Sequence, residues 1–248
     1  MIKLKNVSSG YSKKQVLNDI NLSFKEGKIT SIIGQNGSGK STLLKTIIKL
    51  VNVFNGDIVI DDININDLKR KDIAKTIAYL PQIKIDSQMT VYQMVLHGRY
   101  PHTNTFCSYS AQDVEIACKY INKLGLSKYK DLTINTLSGG NMQKAYLAMA
   151  LTQDAKYIIL DEPTTFLDIT SQIELMNILK ELSKEGKGII IVMHDLPICL
   201  NFSDEIIVLN DKNVVFNGSV DEIFSNNILK DIFNIDIKKE ENGIYYNF

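Results

Sequence analysis

At 248 residues the chain can bury one substantial core, or one core carrying an inserted lobe. Net charge is zero with 23% charged residues, so no basic face announces nucleic acid as a partner. Cys107, Cys118 and Cys199 are scattered without a C-x-x-C pair, against a disulfide framework or zinc cage, and no apolar run approaches the ~18 residues of a membrane span. With no signal core in MIKLKNVSSG, the expectation is a cytosolic protein that can sit on a membrane partner.

The first elements read as strands: Ile2 to Val7, Ile20 to Phe24, Ile29 to Ile33, Asp57 to Ile60 and Ile77 to Tyr79. The early ones alternate around Gly, Asn and Asp turns, as in an antiparallel edge sheet. Ile29 to Ile33 runs into GQNGSGKST, Gly34 to Thr42, which fits the phosphate-cradling pattern G-x-x-x-x-G-K-[ST]. A short buried strand should stop at Gly34 and a helix start near Lys40, with Leu43, Leu44, Ile47, Ile48 and Val51 as its apolar side. Between them Gln35, Asn36 and Ser38 turn their backbone N–H groups inward, and Gly34, Gly37 and Gly39 remove the Cβ atoms that would block the bend. Lys40 reaches the β- and γ-phosphates of a bound nucleotide, the Ser41 hydroxyl ligates Mg²⁺, and Thr42 closes the motif.

Between Asp86 and Asp154 the strand signal vanishes, and Thr90 to His97, Gln112 to Leu124 and Asn141 to Thr152 read as helices. LSGG, Leu137 to Gly140, precedes the last of them. Ser138, Gly139 and Gly140 at a helix N-terminus form a second anion-binding turn, although a bare N-cap with glycines needs no ligand. Two phosphate-type sites and one lysine-bearing loop suggest that this turn serves the nucleotide of another copy.

Tyr157 to Leu160 (YIIL) and Ile189 to Met193 (IIIVM) are apolar throughout, as parallel strands buried on both faces require. Ligands bind beyond the carboxyl ends of such strands. There Asp161 can hold Mg²⁺ through water, while Glu162 orients or deprotonates the attacking water. His194 ends IIIVM in the same way, positioned to hydrogen-bond the γ-phosphate or the water. Strands around Glu205 to Leu209 and Val214 to Phe216 and a helical tail finish the chain. The expected organisation is a single domain, with residues 1–85 and 155–248 forming an α/β nucleotide-binding core with a β subdomain and residues 86–154 an inserted helical subdomain.

In this order the motifs resemble the ATP-binding subunits of ABC transporters, over roughly Leu4 to Gly218. The resemblance implies a P-loop NTPase core with a parallel central sheet, an N-terminal antiparallel β subdomain and an inserted helical subdomain. It also assigns Tyr11 to adenine stacking, Gln82 in YLPQ to the glutamine loop with catalytic and Mg²⁺ roles, and LSGG to the signature. Thr165 to Asp168 correspond to the D-loop, with Asp168 at the nucleotide, and His194 to the switch histidine. In that family two subunits clamp Mg-ATP head-to-tail on two permease subunits at the cytoplasmic side of the membrane. An extracytoplasmic binding protein completes the importers, and no nucleic acid is involved.

The usual LSGGQRQR becomes LSGGNMQK here, with Asn141, Met142 and Lys144 replacing a glutamine and two arginines. HGRYPH, His97 to His102, and EPTTFLD, Glu162 to Asp168, resemble the branch that imports iron–siderophore, haem or cobalamin chelates. Zinc and manganese importers carry similar stretches, and a soluble ATPase of iron–sulfur assembly has a similar length. Arg70 and Arg99 are the only arginines, and HGRYPH would place Arg99 on the lobe that receives the permease. A metal site from His97, His102 and Cys107 is disfavoured, because five-residue spacings share no helix face.

Overall fold

The computed structural model describes residues 1–82, 87–103, 108–165, 167–240 and 243–247. Cys107, Phe166 and the expected lobe boundary at Asp86 lie outside them. Strand β1 (Ile2–Tyr11) turns into β2 (Lys14–Phe24), and the antiparallel register runs from Ile2 opposite Phe24 to Tyr11 opposite Lys14. Ile2, Leu4 and Val7 are buried while Lys5 and Asn6 face solvent, so one face of the hairpin joins the core. Strand β3 (Ile29–Gly34) is buried at every position, as the unbroken apolar run requires. Helix α1 (Lys40–Ile47) follows, and β4 (Asn52–Ile60) pairs with the free edge of β1 before the short β5 (Ile63–Asn64).

Helix α2 (Arg70–Thr76) leads into β6 (Ile77–Leu80). Then come α3 (Val91–His97), α4 (Ala111–Lys123) and α5 (Gly139–Thr152). Capping boxes start two of them, Thr90 with Gln93 on α3 and Ser110 with Asp113 on α4. The three helices pack on one another, and buried residues such as Val95, Ile121 and Leu147 each contribute about 1.5–3 kcal/mol of burial energy to the lobe. Strand β7 (Tyr157–Asp161) pairs parallel with β6, Ile77 opposite Tyr157 to Leu80 opposite Leu160. Helix α6 (Ile169–Lys184) comes next.

The remaining elements are β8 (Gly188–Val192), α7 (Leu196–Phe202), β9 (Glu205–Asn210), β10 (Asn213–Ser219), α8 (Val220–Phe224) and α9 (Ile228–Phe233). β3 lies between β8 and β9 and is parallel to both, with β10 antiparallel on the outer side of β9. The tail expected to be helical is so only in α8 and α9. It ends in an antiparallel hairpin, β11 (Asp236–Glu240) with β12 (Gly243–Asn247), where the strand formers Ile244, Tyr245 and Tyr246 outweigh helix propensity. Contacts divide the chain into two compact units, Met1–Leu68 with Asn177–Phe248, and Lys69–Met176.

Candidate nucleotide site

In the first unit the loop from Gly34 to Gly39 leaves β3 and enters α1 with a geometry that side chains would obstruct. A Cβ on Gly34 would lie 2.2 Å from the Leu209 carbonyl oxygen and 2.8 Å from Ser38 Oγ. Gly37 and Gly39 take φ of 81° and 106°, in the left-handed region that favours glycine. Lys40 folds back over the loop, its buried ammonium donating to the carbonyls of Gly34 at 2.8 Å and Gln35 at 3.0 Å. Among the described residues no group hydrogen-bonds the buried Ser38 Oγ, a cost that an incoming polar ligand would remove.

A cleft of about 350 Å³ opens beside the loop, walled by Asn36, Ser38 and the Asn210–Lys212 turn. Cradle, ammonium and orphan hydroxyl together fit an anionic polyphosphate. Ser41 is half-buried and Thr42 buried in the first turn of α1. Tyr11 is 47% exposed at the end of β1, with its ring available for stacking. His194 is exposed in the bend between β8 and α7.

In the second unit the two strand-end carboxylates differ. Asp161 is the last residue of β7, buried, with the Tyr79 hydroxyl donating to Oδ2 at 3.4 Å. Glu162 has left the strand with φ of 51°, a conformation that costs a non-glycine residue on the order of 1–3 kcal/mol. Its Oε2 accepts from Gln82 Nε2 at 2.6 Å and from Thr165 Oγ1 at 3.4 Å. The structure thus joins Gln82 of the YLPQ segment to the expected base. Tyr79 was not singled out in the sequence, where only its place on the strand leading to Gln82 marks it.

Ser138 caps α5, its Oγ accepting from the Asn141 N–H at 3.5 Å. Ser138, Gly139, Gly140, Lys144, Asp168 and Ser171 line a concavity of about 200 Å³. Asp168 caps α6 through the N–H of Ser171 at 2.9 Å and its hydroxyl at 2.8 Å, and these bonds hold its carboxyl below the ordinary value. Lys144, which stands where the signature usually has arginine, keeps a cation there and pairs with Glu174 at 2.7 Å.

Arg99 corrects an expectation. It is not an exposed docking charge: it is 7% exposed, donates from Nε to Asp113 Oδ1 at 2.7 Å and from Nη1 to the Thr152 carbonyl at 2.9 Å. Its partners lie 14 and 53 residues away, beyond the reach of any local motif. Arg70 is a solvent-exposed charge at the start of α2. His102 meets the Gln153 carbonyl and His97 the Tyr109 hydroxyl, and among the described residues no cluster of three or more His, Cys, Asp or Glu side chains could hold a metal. No helix of the described residues is long and apolar enough to cross a membrane.

A glycine-shaped phosphate loop after a buried parallel strand, with acidic residues at the end of another, defines a P-loop nucleotide-binding protein. The family model described as ABC transporter matches residues 17–165. The petrobactin import ATP-binding protein FpuD of Bacillus anthracis is 35% identical over 95% of this chain and 87% of its own length. The iron(3+)-hydroxamate import ATP-binding protein FhuC of Bacillus subtilis is 38% identical over 92% of this chain and 85% of its own. Among solved structures, a dimeric ATP-binding cassette bound to ADP and Pi superposes with a TM-score of 0.77 at 30% identity, covering 89% of this chain and 99% of that one. A nucleotide-free ATP-binding cassette shares the fold with a TM-score of 0.84 at 24% identity, covering 94% of this chain and 98% of that one. The chain belongs to the ABC transporter family.

Proposed function

We propose that this chain hydrolyses Mg-ATP as a head-to-tail dimer and drives import of an iron–siderophore-type chelate through two permease subunits. The observation that carries the two-copy mechanism is the presence of two phosphate-type turns, Gly34–Thr42 and Ser138–Gly140, of which only the first has a lysine. Relatives named for import of petrobactin and ferric hydroxamate support the cargo class. Peripheral attachment at the cytoplasmic face and a separate extracytoplasmic binding protein follow from the same reading.

Within it, Tyr11 stacks on adenine and the loop from Gly34 to Thr42 binds the phosphates. Lys40 offsets charge on the β- and γ-phosphoryl oxygens as the γ-phosphoryl group leaves. Ser41, Gln82 and, through water, Asp161 offer the oxygen donors that Mg²⁺ takes, and the ion supplies charge neutralisation when bound. Glu162 orients the attacking water and accepts its proton on the carboxylate that Gln82 holds. His194 hydrogen-bonds the γ-phosphate or that water. Ser138, Gly139, Gly140 and Asp168 close on the nucleotide of the other copy.

The test is transport. The chain, purified with the permease that accompanies it from membranes, is reconstituted into vesicles, with Lys40→Ala as the inactive control. ATP-dependent uptake of radiolabelled ferric hydroxamate is expected. Uptake of Zn²⁺ or Mn²⁺ instead, or purification with a soluble partner and no permease, would overturn the cargo and the importer respectively.

A further inference from the structure

The inner side of the HGRYPH segment grips one helix end. We propose that Gly98–His102 clamps the C-terminus of α5, making Arg99 a positioning residue for the signature turn at that helix's other end. This rests on the head-to-tail reading above and deepens it.

A helix leaves its last carbonyls without partners, and α5 hands them to this segment. The Thr152 carbonyl accepts from Arg99 Nη1 at 2.9 Å, and the Gln153 carbonyl lies 2.9 Å from His102 Nε2. A Cβ on Gly98 would come within 2.1 Å of the Met149 carbonyl oxygen, so the segment lies directly against the helix backbone. A guanidinium at this end also complements the helix dipole.

The same guanidinium reaches a second helix. Arg99 Nε holds Asp113, whose carboxylate completes the capping box that starts α4. Gln153 extends the lock, its side-chain amide donating to the Ala74 carbonyl and, at 3.0 Å, to that of Ile77, the first residue of the strand that leads to Gln82. One buried residue therefore joins the end of α5 to the beginning of α4. Helix α5 has 14 residues, a rod of about 21 Å from this clamp to Ser138 and Gly139, so rotation at one end displaces the other.

Among the described residues the outer side of the segment is exposed at His97 and Tyr100. Tyr100 is 53% exposed, its ring centroid 5.6 Å from that of the exposed His97 and tilted 30° to it. Tyr100 therefore marks the outer side of the same backbone whose inner side carries Arg99 against α5.

The experiment uses a paired variant, Arg99→Met with Asp113→Asn, which removes the donors to Thr152 without stranding a buried carboxylate. Arg99→Lys, which keeps the charge but not the fork, is the conservative rescue. Steady-state ATPase and binding of a fluorescent ATP analogue are measured beside Ser138→Arg. The expected result is a kcat lowered at least about tenfold with KM and nucleotide affinity unchanged, and partial recovery in Arg99→Lys. Losses of binding and turnover in equal measure would overturn the proposal, because Arg99 would then serve only general folding. If the pair keeps parental kcat while Ser138→Arg abolishes turnover, the clamp is wrong and the two-copy mechanism stands. If both keep it, the two-copy mechanism fails and the clamp with it.

Discussion

The side-chain amide of Gln82 donates to Glu162 Oε2 at 2.6 Å, and Glu162 is held there with φ of 51°. A carboxylate on strained backbone has its direction fixed by the fold rather than by solvent. If Glu162 is the base proposed above, Gln82 sets where its carboxylate takes the proton. Gln82→Ala should lower kcat by about tenfold or more, with a smaller loss of Mg-nucleotide affinity from the missing metal donor, since orienting a base matters mainly in the transition state. Steady-state ATPase and nucleotide titration check this. A parental kcat would mean that the bond is incidental.

Tyr11 offers an exposed ring at the end of β1. Stacking on a base contributes about equally to ground and transition states, at about 1–3 kcal/mol per base. Tyr11→Ala should therefore raise KM for ATP and leave kcat nearly unchanged. A large fall in kcat at constant KM would contradict the stacking role, and no change in either would make Tyr11 a plain edge-strand residue.

Asp113 gives the lobe an acid-sensitive joint. Burial opposes its ionisation, but the Arg99 hydrogen bond, the Ser110 bonds and the Arg99 charge together hold its carboxyl below the ordinary value. A carboxylate with a depressed folded pKa contributes fully above its unfolded value, and the contribution is lost as pH falls through the folded one. Stability should thus drop below about pH 4, and Asp113→Asn should flatten that acid limb in thermal melts. At neutral pH, Arg99→Ala leaves the buried carboxylate unpaired and should cost about 3–5 kcal/mol. An unchanged Tm would show that the pair contributes nothing.

The sequence discloses what is local and hides what is not. YIIL and IIIVM read as buried strands because unbroken apolar runs have no solvated face, and GQNGSGKST reads as a loop because its glycines and lysine act within nine residues. The first half of β2, from Lys14, has no such pattern; it is a strand because β1 pairs with it. Arg99 carried the right signal, scarcity among many lysines, but its depth depended on Asp113 and Thr152 arriving through the fold. Likewise the bond from Gln82 to Glu162 spans 80 residues and exists only because β6 and β7 are neighbours.

The remaining prediction separates a dimeric machine from a monomeric hydrolase. Ser138, Gly139 and Gly140 shape a phosphate-type concavity with Asp168 and Ser171, whereas the chain's own lysine loop is complete without them. A head-to-tail pair would give each concavity a nucleotide. Glu162→Gln removes the proton acceptor at nearly constant shape, so bound ATP should persist between two copies. This variant should be largely monomeric without nucleotide and dimeric with Mg-ATP, as measured by size-exclusion chromatography with light scattering. Adding Ser138→Arg should abolish the dimer, because the longer side chain fills the concavity where the γ-phosphate would enter. If Glu162→Gln binds ATP yet stays monomeric at high protein concentration, the isolated subunit does not use two copies, and the permease must bring the halves together.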